Sequence, residues 1–406
     1  MSRPRPGGLA VAAAVALAAI ASPAALAHVD LHAHPFMDDG MGSLFRGRFE
    51  DSRLKARDWH ATFESQINEE TLEASGLELV VVSLYAHPLV NAPRRKLLRS
   101  QLDRLDAFLK AHPRWALARS AAEARQARAS GKGVVVLALE GAAGVLESDE
   151  DLREFVDRRG VRIVTLLHLT DDHLGGAAFF SSFKGLFMQP VSWLAQAFRS
   201  ERDETGARLN RNGLSDDGVA LAAKLLKRGV WIDLAHSSDE SQKRLIPLLR
   251  SAGQPLLYTH TSLRRYARTE RAISDAQLAE VAESRGIVGL MPSEPALEGT
   301  KAECDDGLHR LAAQFREVGA RIGAASTVIG SDFNGGIAHL APPACPTGTD
   351  FDRTGLWNIG QSGALWRALE TLGAAPAARA GAVASPQFDA FVTAWSRAET
   401  PRSSAP

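Results

Sequence analysis

The sequence predicts a (β/α)8 TIM barrel carrying a long loop insertion after its fourth strand. Three observations support that expectation: eight short apolar, β-branched runs, amphipathic stretches that alternate with them, and polar residues gathered at the C-terminal ends of the runs. Continuous apolar runs such as Val134-Val135-Val136-Leu137-Ala138-Leu139 suit strands buried on both faces, as parallel strands are. A doubly wound open sheet is the structural alternative, but no Gly-x-Gly-x-x-Gly turn opens a helix after an early strand.

The first strand is expected at His28 to His32 and the second at Glu78 to Leu84, followed by the amphipathic stretch Arg94 to Lys110. Val134 to Leu139 then leads into the helical pattern Asp149 to Arg159, and Arg162 to Leu167 supplies the fourth strand. Residues 171–212 break the alternation. Their aromatic content (Phe179, Phe180, Phe183, Phe187, Trp193 and Phe198, with Met188) suits either an apolar wall over a site or a hairpin packed on the barrel. The helical stretch Asp216 to Arg228 precedes strand five at Val230 to Leu234. Glu240 to Ser251 leads to strand six at Pro255 to Thr259, and Ser274 to Arg285 to strand seven at Gly286 to Met291. Asp306 to Ile322 brings the chain to strand eight at Thr327 to Gly330. The barrel domain is thus placed at 28–375, with 376–406 as a tail rich in Ala, Pro and Ser, within which Phe388 to Trp395 has the pattern of a last docking helix.

The chain has 406 residues, 47 Lys+Arg against 47 Asp+Glu, 45% hydrophobic residues and 2 Cys. That composition excludes a disordered chain, a collagen and a disulfide-built miniature. Zero net charge offers no basic surface for phosphates, so nucleic acid is not expected as a partner and a small molecule is. Residues 1–27 read as a signal peptide: Arg3 and Arg5 with no acid, the apolar run Leu9 to Ala21, too short to span a bilayer, and the small residues of Ala25-Leu26-Ala27. Cleavage there would begin the mature chain at His28, in the periplasm or outside the cell, with no strong membrane association. Such compartments are oxidising, so Cys304 and Cys345 would either pair or remain two separate buried thiols.

The informative residues sit at the strand ends, which in a barrel converge on the face that holds the active site. Strand one ends in Asp30-Leu31-His32-Ala33-His34, strand three at Glu140, strand four at His168, strand five at His236, strand six at His260 and strand eight at Asp332. Residues i and i+2 of a strand face one side, so His32 and His34 can offer imidazole nitrogens to one metal. Imidazole with carboxylate favours zinc, with cobalt, manganese or iron as substitutes. His32, His34, His236 and His260 are too many for one open catalytic ion, so two ions bridged by Glu140 is the economical arrangement. Asp332 suits a proton shuttle beside a metal-activated water, whose pKa the metal lowers toward ~7. Capping of a following helix is its structural alternative. His87, after strand two near Tyr85, could contact substrate, but as a lone loop histidine it reads first as structural, as does His173 in the insertion; His60, His112, His309 and His339 have no convergent partners.

These residues resemble the membrane (renal) dipeptidases of the metal-dependent amidohydrolase superfamily. The likeness runs from about residue 28 to 335 and is carried by Asp30-Leu31-His32-Ala33-His34, Ala138-Leu139-Glu140-Gly141, Val161 to His168, Gly213-Leu214-Ser215, Ile232 to Ser237, Thr259-His260-Thr261 and Gly330 to Gly335. It implies a barrel with two zinc ions: His32 and residue 34 on the first, Glu140 bridging, and His236 and His260 on the second. It also implies that His168 polarises the substrate carbonyl, that Asp332 shuttles the proton, and that Arg271 pairs with the terminal carboxylate of a dipeptide. This chain departs from the family pattern in carrying His34 where an Asp is usual, Ala272 after the arginine in place of Asn, and Asn334 in place of Asp. No match to the family's carboxylate-binding Tyr appears near Pro292-Ser293. The expectation is an exported zinc metallodipeptidase, compatible with a homodimer. N-acyl amino acids, lactones or phosphoesters are alternative substrates, and an inactive metal-binding protein on the same scaffold is a further reading.

Overall fold

A computed structural model describes residues 28–37, 65–86, 93–179, 190–377 and 382–400. The segment expected to be a signal peptide lies outside the described residues, as do His60, His87, Phe180, Phe183, Phe187 and Met188. Eight parallel strands form the barrel: β1 (His28–Ala33), β2 (Leu77–Leu84), β3 (Gly133–Glu140), β4 (Val161–Thr165), β5 (Trp231–Asp233), β6 (Leu257–Thr261), β7 (Ile287–Leu290) and β8 (Thr327–Ile329). Each pairs with its neighbours in order, and β8 returns to β1 through Asp30 opposite Ile329, which closes the sheet. A three-residue strand, Trp115–Leu117, pairs with the start of β3 beneath β4. It is too short for periodicity to reveal.

Helices occupy the expected stretches between strands, and their starts are written in side chains. Ser215, Ser238 and Ser274 accept the backbone N–H of Gly218, Ser241 and Gln277 at the heads of Asp216–Leu226, Asp239–Ser251 and Asp275–Ser284, and Asp306 does the same for His309 at the head of Gly307–Ile322. The expected helix at 149–159 forms as one α-turn, Asp149–Asp151, continued by a π-helix over Leu152–Arg158.

Alternation along the strands separates two layers of core. Val80, Val82 and Leu84 of β2, with Val135, Leu137 and Leu139 of β3, pack outward on helix residues such as Leu98, Leu102 and Phe155. Leu79, Val81, Val134, Val136 and Ala138 fill the bore with Ile163, Trp231, Leu257, Ile287 and Val328. Glu140 continues the inward-facing series of β3. Two irregularities break the alternation where it matters. The register of β1 against β2 shifts between Asp30 and Ala33, so the inward face passes from Val29 and Leu31 to His32 and His34. A matching shift of β6 against β7, between Val288 and Leu290, lets the consecutive residues Thr259 and His260 both face the bore.

The barrel floor is sealed by the C-terminal helix Pro386–Ala398, whose Phe388, Phe391 and Trp395 join the interior cluster. The ring of Phe391 lies 5.5 Å from that of Trp231 on β5. Ser385, the cap of this helix, binds the carboxylate of Glu78, which lies fully buried at the foot of β2 and also accepts from Arg128 at 3.1 Å. In the insertion, a helix (Pro190–Arg199) donates through Gln196 to the carboxylate of Asp171, and a small antiparallel hairpin follows it (Glu201–Arg202 with Arg208–Leu209). Phe179 is buried, Phe198 faces solvent, and Cys304 and Cys345 are joined in a disulfide.

Candidate active site

The C-terminal rim gathers every metal candidate read from the strand ends. Glu140, at the tip of β3, is buried and central: its Oε1 lies 3.0 Å from His236 Nε2 and 3.4 Å from the Nε2 atoms of His32 and His260. Its Oε2 lies 3.5 Å from the Nε2 atoms of His34 and His168. Asp332 stands on the opposite side of His34, with Oδ1 3.3 Å from its Nε2. Burial alone would raise the Glu140 carboxyl, but the surrounding imidazoles, His168 and His32 foremost, hold it well below the usual carboxylate range. Burial keeps His236 and His260 well below the ordinary histidine value and brings His168 down to about 4.

The donor set fits metal. His34 gives its Nδ1 to the carbonyl oxygen of Ser83 at 3.0 Å, which leaves the Nε2 lone pair toward Glu140. Nε2 of His32 is only 3.1 Å from Nε2 of His34, and the Nε2 atoms of His236 and His260 are 2.9 Å apart. Glu140 Oε1 is buried without a hydrogen-bond partner. Imidazole nitrogens crowded edge to edge around a carboxylate are short of positive charge, which a divalent cation supplies. Three overlapping groups could each hold an ion: His32 with Glu140 and His260, His32 with His34 and Asp332, and Glu140 with His168 and His236.

Backbone strain concentrates at the same rim. Leu169, His236, Asp332 and Asn334 hold φ of 55°, 65°, 55° and 67°, a left-handed region that non-glycine residues seldom adopt. The structure over-determines these turns. Ala178 of the insertion donates its N–H to the carbonyl of His236 at 2.7 Å, and Asp332 donates its own to the carbonyl of His32 at 2.8 Å. Asn334 donates through Nδ2 to the carbonyl of His34 at 3.0 Å, while its Oδ1 accepts the N–H of Gln66 at 2.7 Å. The two departures from the family pattern, His34 and Asn334, are thus in direct contact. An aspartate at 334 would have no proton to offer that carbonyl.

Arg271, in the loop after β6, is half-buried, and its buried Nη1 has no hydrogen-bond partner. Its neighbours are committed elsewhere: Arg264 forms a two-point pair with Asp239 at 2.5 and 2.6 Å, and Arg265 binds Asp275 and Glu317. A cavity of about 260 Å³ opens beside Glu140 and His168, lined among others by Tyr85, Arg94, Thr170 and Asp172. Of the other histidines, His173 pairs with Glu147 at the surface, His309 with Asp306, and His112 with Glu69 and Glu73. His339 is buried beneath Asp332, bonded to the carbonyl of Ser331 at 2.7 Å. Sequence reasoning passed over Gln66, Thr259, Asp233 and Glu270. The carboxylate of Glu270 accepts the N–H groups of Phe179, Asn210 and Asp239 and so anchors the insertion. Asp233 and Thr259 were visible as polar residues inside apolar strands, the signal of a buried network.

A closed (β/α)8 barrel whose C-terminal rim gathers five imidazoles around one glutamate defines a class, the barrel proteins built on a metal-ligating mouth. Within it the chain belongs to the membrane dipeptidase family, peptidase family M19, whose sequence model matches residues 25–186 and 185–341. Dipeptidase verJ of Clonostachys rogersoniana is 25% identical over 222 residues, 55% of this chain and 48% of that protein. The chain spans about half the length, or less, of the curated relatives it matches. Among solved structures, the metallopeptidase of Rhodobacter sphaeroides liganded with a phosphinate mimic of the dipeptide L-Ala-D-Ala aligns with a TM-score of 0.62 at 17% identity, over 92% of this chain and 99% of that one. The probable dipeptidase PvdM of Pseudomonas aeruginosa gives a TM-score of 0.64 at 14% identity, over 92% and 96% of the two chains. These likenesses establish the shared fold.

Proposed function

We propose that this protein is an exported binuclear zinc dipeptidase. The observation that carries the reading is the convergence of His32, His34, His236 and His260 on Glu140, with Asp332 beside His34 and with Arg271, whose buried Nη1 is unpaired, near enough to interact with the charges of Glu140 and Asp332. Family membership and the dipeptide mimic held by the Rhodobacter sphaeroides neighbour support the substrate class. Export to the periplasm or beyond is supported by the sequence of residues 1–27 and by the disulfide. Among the described residues no helix is long and apolar enough to cross a membrane.

His32, His34 and Glu140 would hold one ion and Glu140, His236 and His260 the other. Bound there, zinc supplies Lewis acidity toward the peptide carbonyl and makes water acidic enough to serve as nucleophile at neutral pH. The chain's own residues do the rest. The guanidinium of Arg271 takes the terminal carboxylate in a charge-assisted pair and thereby sets the register of the scissile bond. His168, at the edge of the cavity, donates an N–H to the carbonyl oxygen as negative charge grows on it. Asp332 accepts a proton from the attacking water at its carboxylate and returns it to the departing amine. The insertion, anchored through Glu270, holds the backbone of His236.

A panel of dipeptides, assayed with zinc-reconstituted protein and with metal content measured in parallel, tests the proposal. Turnover that stops at Glu140→Gln is expected; dipeptide hydrolysis no faster than in that variant would overturn it. His34, which makes the first site one negative charge poorer than an aspartate would, favours a second reading with uncharged esters or amides as substrates. Turnover of those without benefit from a free carboxylate would select it.

A further inference from the structure

We propose that Thr259 is a positioning residue that sets the tautomer of two metal-facing imidazoles at once, one from each of the two proposed zinc sites. Its hydroxyl lies 2.7 Å from Asp233 Oδ2, 3.1 Å from His32 Nδ1 and 2.9 Å from His260 Nδ1. A hydroxyl has one proton to give and two lone pairs to accept with, so three such contacts use its full capacity. Which contact takes the proton is decided by Asp233. That carboxylate is fully buried and already accepts the Thr165 hydroxyl at 2.7 Å and the backbone N–H groups of Ala235 and Thr259 at 3.0 Å each. All of its partners are donors, so Thr259 gives its proton to Asp233. Both lone pairs of the hydroxyl then face imidazoles, and each imidazole must donate through Nδ1–H.

The consequence lies at the other end of each ring. With the proton on Nδ1, Nε2 is a bare lone pair directed at Glu140, the form a metal requires. Without the hydroxyl, Glu140 would compete for the proton: its Oε1 is 3.4 Å from Nε2 of both His32 and His260, and an Nε2–H hydrogen-bonded there would occupy the position of the metal. The fold makes room for the device. A Cβ on Gly289 of β7, or on Gly330 just after β8, would lie 2.0 Å from the carbonyl oxygen of Thr259. The register shift in β6 turns Thr259 and His260 to the same side. The other two rings show the alternatives. His34 is held by a backbone carbonyl, that of Ser83, and Nδ1 of His236 is buried with no partner.

The inference rests on the metal-binding half of the proposed function and is independent of the substrate. Two measurements on the full chain test it. Competition with a chelator should show zinc affinity falling about 10- to 100-fold in Thr259→Val, the loss expected on removing a hydrogen-bond partner of a ligating histidine. Thr259→Ser, which keeps the hydroxyl, should bind like the wild type. Nitrogen-15 spectra of the imidazoles in metal-stripped wild-type protein should show Nδ1–H on both His32 and His260. Unchanged zinc affinity in Thr259→Val would overturn the assignment, and so would an Nε2–H tautomer on either ring. A loss of thermal stability in Thr259→Val without a change in affinity would reduce Thr259 to a packing residue. If the valine variant does not fold, the wild-type spectra decide the matter. If wild-type protein binds no zinc, the dipeptidase reading fails while the spectra still decide the tautomers.

Discussion

Replacing both cysteines, Cys304→Ala with Cys345→Ala, should lower stability by an amount that follows from the loop they close. The bridge spans 41 residues of sequence. Loop-closure entropy for that length gives about 4 kcal/mol of restraint on the unfolded chain. The enclosed segment contains the helix Gly307–Ile322, β8, Asp332 and Asn334, so the bridge reaches around the last wall of the barrel. Native geometry there does not depend on it. β8 is held by β7 and β1 on its two edges, and Asp306 independently accepts the N–H groups of Ala344 and Cys345. The double variant should therefore keep wild-type zinc content and turnover in dilute buffer. Its urea midpoint should fall by about 1 M or more at a slope of about 3 kcal/mol/M. Equilibrium unfolding followed by tryptophan fluorescence measures this, with and without reductant. Reductant should move the wild type onto the variant's curve and leave the variant where it is. Coincident curves for oxidised and reduced wild type would show that the bridge restrains nothing, and lost turnover in native buffer would show that it shapes the site.

Arg271→Met should reduce kcat/KM for dipeptides by about 100-fold, the scale of a lost charge-assisted pair, while dipeptide amides, which lack the carboxylate, lose little. Equal losses on both substrates would remove Arg271 from carboxylate recognition. The wild type should also lose stability in acid through His339. Its ring is buried, with Nε2 donating to Ser331 and Nδ1 accepting from Gln66 at 2.9 Å, and burial lowers it to about 4 from 6.5. Because the unfolded chain binds this proton first, the contribution is complete above pH 6.5 and declines as pH falls toward 4, by about 3 kcal/mol. His339→Gln should flatten that part of the stability profile measured by thermal unfolding; an unchanged slope would assign the acid sensitivity to other groups.

The barrel was legible because parallel strands buried on both faces must be written as apolar runs, and this chain contains eight of them in alternation with amphipathic helices. The rim was legible for a related reason. A charged or imidazole side chain that closes an apolar run, as Glu140 closes β3, cannot be part of the core and must be held by something. What could not be read was the face each residue takes. His32 and His34 share parity with each other but not with Val29 and Leu31, and only the register shift in β1 reconciles them. The same holds for Thr259 beside His260. Bulges leave no composition signal, so Asp233 stands out as a polar residue in an apolar strand while its pairing with the Thr259 hydroxyl remains invisible along the chain. The short strand Trp115–Leu117 and the contact between Asn334 and the His34 carbonyl are likewise products of tertiary packing.

The helix Pro386–Ala398 bears on how this protein comes into being. Ribosomes deliver a chain from its N-terminus, so all eight strands exist before the residues that fill the lower bore have been made. Until Phe388, Phe391 and Trp395 emerge, a nascent barrel exposes apolar surface around Trp231 to water and has nowhere to bury Glu78 with its Ser385 partner. Final consolidation of the interior therefore waits until this helix has emerged. A chain released short of this helix would keep every residue of the metal-facing rim and still lack a finished core.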